Sequence, residues 1–80
     1  MDDAEKTLRR IASKVFLIDE NKISDEMSRG KLKTWDSMAQ LVLITEIESA
    51  FQVMLSDDDI ATIKTYADIK RVLKKLGVDV

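Results

Sequence analysis

Between Asp3 and Ile18 the apolar residues recur at helical intervals. Ala4, Leu8, Ile11, Val15 and Ile18 are separated by steps of four, three, four and three, and Ala12 and Phe16 widen the stripe. This spacing predicts one apolar helix face, with Lys6, Arg9, Arg10 and Lys14 mostly off it. Asp2 and Asp3 at the start suit the positive end of the helix dipole. The stretch from Asp19 to Asp36 breaks the period. Its polar residues, among them Asn21, Ser24, Asp25, Ser28, Gly30 and Thr34, surround isolated apolar positions at Ile23, Met27, Leu32 and Trp35. It reads as a long loop pinned onto the helices at those points, with Trp35 anchoring its end.

A second helix is predicted from Asp36 or Ser37 to about Phe51. Met38, Leu41, Ile44, Ile47, Glu48 and Phe51 trace its main face, and Val42, Leu43 and Ala50 form a second apolar flank. So wide an apolar surface predicts contact with more than one neighbouring helix. Two caps are open at its start: Asp36, or Ser37 with Gln40 completing a capping box. Ser56 followed by Asp57, Asp58 and Asp59 reads as the start of a short third helix, with Asp59 as capping-box partner, followed by Ile60 and Ile63. Thr65 and Asp68 repeat that signal for a fourth helix, whose stripe is Ile69, Val72, Leu73 and Leu76. Lys74 and Lys75 fall in its last turn and Gly77 caps its end. The predicted fold is all-α, a four-helix bundle with a long first loop and a short third helix.

Composition narrows the chemistry. The 80 residues make one domain, 1–80, and include no Cys, no His, no Pro and only two Gly. Without Cys there is no disulfide and no thiolate zinc site; without His the usual neutral-pH general base is missing. A self-sufficient enzyme is therefore not expected. The 45% hydrophobic and 35% charged content is that of a folded chain rather than a disordered one. A formal net charge of −2 argues against nucleic acid as a partner. No apolar run reaches the length of a membrane span, and the acidic Met1-Asp2-Asp3 start is unlike a signal peptide. A cytoplasmic monomer is expected.

Trp35-Asp36-Ser37-Met38, followed by Leu41, Leu43-Ile44, Ile47-Glu48 and Phe51, resembles the acyl carrier protein family. There an Asp-Ser-Leu or Asp-Ser-Met triplet opens the second helix and an Ile/Leu-Glu-x-x-Phe segment closes it. Asp59-Ile60, Ile63-x-Thr65 and Asp68-Ile69 extend the resemblance over nearly the whole chain. It implies that Ser37 is the attachment site for 4′-phosphopantetheine, moved there from coenzyme A by a phosphopantetheinyl transferase. Acyl groups then ride on the arm as thioesters, between a loading ligase or synthase and downstream acyl-processing enzymes. Asp36 flanks the site as a cap, Met38 is a candidate arm or partner contact, and Glu46 and Glu48 are candidate docking residues. The apolar flanks of the second helix are candidates to line a cleft for the acyl chain. The chain departs from fatty-acid carriers at Ala39 and Val42, which are often acidic in them. That favours a specialised fatty-acid, polyketide-like or secondary pathway with different partners. A Gly-Gly-x-Ser sequence, common in peptidyl carriers, is missing.

Other readings of these residues stay open. Ser37 and Asp36 can serve only as caps, Met38 as a plain core or rim residue, and Glu46 and Glu48 as a solvated face. A catalytic Ser37 lacks a His to activate it. The run Asp57-Asp58-Asp59 invites a calcium loop, but Ala61 and Thr62 break the alternating ligand pattern, so a cap is expected. Lys70, Arg71, Lys74 and Lys75 complement a helix C-terminus. Two functional alternatives remain: an aminoacyl or peptidyl carrier, and a cofactor-free helical module that holds a partner helix in its groove.

Overall fold

The computed structural model describes residues 3–80. Its elements in chain order are α1 (Asp3–Phe16), a 3-10 turn (Glu20–Lys22), α2 (Ser37–Phe51), α3 (Asp57–Thr62) and α4 (Tyr66–Lys75). Among the described residues there is no strand, only an isolated bridge between Ser28 and Thr65. The architecture is a small helical bundle. Asp2, read as part of the acidic start of α1, lies outside the described residues; Asp3 and Glu5 occupy the first turn.

Helix starts follow the cap residues. Asp36 accepts from the Ala39 N–H at 2.8 Å, and Ser56 accepts from Asp59 N–H at 3.0 Å. Thr65 and Asp68 form a complete capping box. Burial works to raise the Asp68 carboxyl, but hydrogen bonds from the Lys64 and Thr65 N–H groups, with help from Thr65 and Arg71 side chains, hold it below its ordinary value. Two alternatives are corrected. Gln40 does not close a box on Ser37, because its side chain is turned inward to Trp35. Asp59 completes no full box with Ser56; its carboxylate lies beside Ser56, but its main partner is Lys75, which ties α3 to the end of α4.

The ends of α1, α2 and α4 share one geometry, whereas α3 ends in the extended Ile63. Leu17 (φ 59°), Gln52 (φ 56°) and Gly77 (φ 94°) are all left-handed. After α4, the Val78 N–H reaches the Leu73 carbonyl at 2.9 Å and the Gly77 N–H reaches Lys74 at 3.0 Å, the two bonds of a Schellman motif. Ile18 bonds back to Ser13 and Val53 to Glu48 in the same six-to-one pattern. The first helix therefore stops at Phe16, short of the expected Ile18, which is half-buried just beyond the turn.

The core gathers Leu8, Ile11, Ala12 and Phe16 of α1, Leu43, Ile44 and Ile47 of α2, and Tyr66, Ile69, Val72 and Leu73 of α4. Ile23, Trp35, Leu55 and Ile63 reach it from the connections. The expected main face of α2 is corrected here. Ile44 and Ile47 are buried, but Met38 and Leu41 point outward, at 70% and 64% exposure. Gln40 and Leu43 take the inward positions. A helix apolar on nearly all sides carries no internal signal of which side the core claims, and the neighbours decide it. The surplus apolar surface on α2, at Met38, Leu41 and Val42, faces solvent.

The Asp19–Asp36 connection is fastened at several points. Met27 accepts from the Tyr66 N–H at 3.0 Å, Lys64 accepts from the Arg29 N–H at 3.0 Å, and Asp25 pairs with Lys70 at 2.6 Å. Arg9 of α1 donates to the carbonyls of Glu20 and Ile23. The loop is pinned both at its apolar residues and through its backbone.

Candidate functional site

Trp35 is buried, and its ring stacks on Phe16 with centroids 4.5 Å apart and planes 27° apart. Its Nε1–H donates to Gln40 Oε1 at 2.7 Å. Two inward anchors therefore bracket the start of α2. Between them Asp36, Ser37 and Met38 are exposed. Ser37 is the first residue of the helix, directly after the extended Asp36.

Asp36 engages both the Ala39 and Gln40 N–H groups, the first through its carboxylate and the second through its carbonyl at 2.9 Å. The N–H groups of Ser37 and Met38 have no partner among the described residues. They lie at the positive end of a fifteen-residue helix, where an anion on Ser37 is favoured. Ser37 is exposed, the chain has no His, and Asp36 Oδ1 is occupied by its capping bond. The arrangement can present a hydroxyl and hold a phosphodiester.

The other proposed site residues separate. Met38, Leu41 and Val42 form an exposed apolar strip running from Ser37 along α2, Val42 being 42% exposed. Glu46 turns to the α1 side and pairs with Lys14 at 3.1 Å. Glu48 turns the other way, where its carboxylate accepts the Leu55 N–H at 2.9 Å and braces the approach to α3. The two glutamates do not make one acidic surface. The basic residues of α4 are largely paired: Lys70 with Asp25, Arg71 with Asp68 and Lys75 with Asp59.

A cleft of about 330 Å³ opens beside the site, lined by Lys14 and Val15 of α1, Thr34 and Asp36 of the loop end, and Met38, Ala39 and Val42 of α2. Sequence reasoning missed its α1 wall and Thr34, since helical spacing within α1 says nothing about which part of α2 it will meet. Ala39 and Val42 carried the available signal, as uncharged positions just after Ser37.

Among the described residues no helix is long and apolar enough to cross a membrane. No protein-family model matches the chain, and no curated protein matches it.

Proposed function

We propose that the protein is an acyl carrier: a domain that presents Ser37 for modification with 4′-phosphopantetheine and catalyses nothing itself. The observation that carries this reading is Ser37 itself, exposed on the first turn of α2 between the inward anchors Trp35 and Gln40, with Asp36 capping the helix. The sequence resemblance around Asp36-Ser37-Met38 supplies the family expectation. The residues present fit the group. The accessible hydroxyl offers the attachment point, and the unpartnered Ser37 and Met38 N–H groups suit the phosphodiester charge.

In the attachment, Ser37 Oγ forms a bond to the phosphorus of coenzyme A that bears the pantetheine. The pyrophosphate P–O bond breaks, adenosine 3′,5′-bisphosphate leaves, and the hydroxyl proton passes to a base on the transferase. An outside base suits a chain without His, in which Asp36 Oδ1 is already held by the helix cap. When bound, the arm supplies the thiol that a chain without Cys lacks. The exposed strip of Met38, Leu41 and Val42 gives the transferase and acyl-processing enzymes an apolar docking face beside the serine. With Glu46 and Glu48 turned apart and engaged, that face relies on apolar contact more than on carboxylates. A specialised pathway is the better match to such a face.

The same strip supports a second reading, a cofactor-free module that covers Met38, Leu41 and Val42 with a partner helix. Incubation with coenzyme A and a broad-specificity phosphopantetheinyl transferase separates them. The carrier gains the mass of one phosphopantetheine group on the peptide containing Ser37; the module gains none.

A further inference from the structure

The cleft beside Ser37 has a composition that its position alone does not require. Val15, Ala39 and Val42 give it apolar walls, and Met38 stands at its side mostly exposed. Thr34, at the end of the long connection, completes the lining. At about 330 Å³ the cleft lies at the small end of ligand pockets. Lys14 stands at the same site, and its ammonium is held only by an exposed pair with Glu46, an interaction of little net strength.

Asp36 and Met38, the two residues flanking Ser37, both line this cleft. A group attached to Ser37 is thus tethered at its edge, at an effective concentration on the order of millimolar, so weak intrinsic affinity suffices. We infer that the pantetheine segment of the arm, once on Ser37, folds back into the cleft between α1 and the start of α2. This rests on the carrier reading above. The arm's chemistry matches the walls. Its geminal dimethyl segment meets Val15, Ala39 and Val42, while its hydroxyl and amides face the open, solvated side of the cleft. Lys14 is freed from Glu46 at little cost to complement the phosphodiester. Met38, flexible and unbranched, closes over the arm. Of the exposed strip, Leu41 lies outside the cleft lining and stays free for partner enzymes.

The test compares unmodified and modified protein by NMR. The protein is labelled with ¹³C and ¹⁵N, the arm comes from unlabelled coenzyme A, and intact mass establishes complete modification. Amide shifts at Lys14, Val15, Thr34 and Val42, with isotope-filtered NOEs from the arm's geminal methyls to Val15 and Val42 methyls, are the expected result. A complete mass gain with shifts confined to residues 36–38 and no such NOEs overturns this inference and leaves the carrier reading standing. No mass gain in a folded sample overturns the carrier reading and this inference with it.

Discussion

Trp35 Nε1–H donates to Gln40 Oε1 at 2.7 Å, in the interior, across the start of α2. This bond joins the end of the long connection to the second turn of the helix and spans the residues that present Ser37. Gln40→Met keeps the approximate volume but leaves the indole N–H buried without a partner. The expected loss is about 1–3 kcal/mol, read by urea unfolding followed through Trp35 fluorescence. An unchanged midpoint would show that the bond does not hold the site.

Tyr66 is fully buried, yet its hydroxyl makes no hydrogen bond. Burial pushes the phenol up from 10.0 to about 12. The folded state holds that proton more tightly than the unfolded chain. The associated stability is therefore complete below the unfolded value of 10.0 and disappears as pH rises toward about 12. Its size, from a shift of about two units, is about 2–3 kcal/mol. Tyr66→Phe is expected to be neutral or stabilising at pH 7, since it removes an orphaned hydroxyl. It should also show a shallower loss of stability than wild type above pH 10. Equal alkaline slopes in the two proteins would contradict this account of Tyr66.

Asp59 ties α3 to α4 through Lys75. The hydrogen bond from Lys75 is the main cause that holds its carboxyl below the ordinary 3.8, against the effect of burial. A carboxylate depressed on folding contributes stability above its unfolded value and loses it as pH falls through the lower folded one. Asp59→Asn should therefore be less stable at pH 7, with the difference from wild type shrinking below about pH 4. Thermal midpoints measured between pH 2 and 7 give the comparison.

Three helices end in left-handed residues, and only one of them is Gly. Leu17 pays a steric cost that Gly would not, and its side chain is 78% exposed, so little packing is lost on removal. Leu17→Gly is expected to stabilise by about 0.5–1 kcal/mol, whereas Gly77→Ala is expected to cost about 1 kcal/mol. Opposite signs in chemical unfolding support the shared end geometry; a destabilised Leu17→Gly argues against it.

The residue that caps each helix start was legible in the sequence, though not every reciprocal box partner. Asp36, Ser56 and Thr65 with Asp68 each marked a helix start, and Gly77 marked an end. Trp35 was readable as an anchor because a lone large aromatic in a polar stretch has few other roles. The register of α2 was not legible, since apolar residues lie on most of its sides and Gln40 is buried only because Trp35 offers it a partner. The end of α1 at Leu17 carried no Gly or Asn signal. Tyr66 went unread as a core residue, sitting at the first position of α4 ahead of its aliphatic stripe. Ser37 stood out by its neighbours, whereas the cleft beside it depends on Val15 and Thr34 arriving from distant parts of the chain.

The central claim is that Ser37 carries the arm. The most direct measurement is the intact mass of wild type and Ser37→Ala after incubation with coenzyme A and a broad-specificity phosphopantetheinyl transferase, with a known carrier run in parallel. Both proteins should give the same helical circular dichroism, because Asp36 rather than Ser37 caps α2. The account predicts a gain of one phosphopantetheine group in wild type and none in Ser37→Ala. A folded wild type that gains nothing while the known carrier is modified, or a Ser37→Ala protein that gains the same mass, would contradict it.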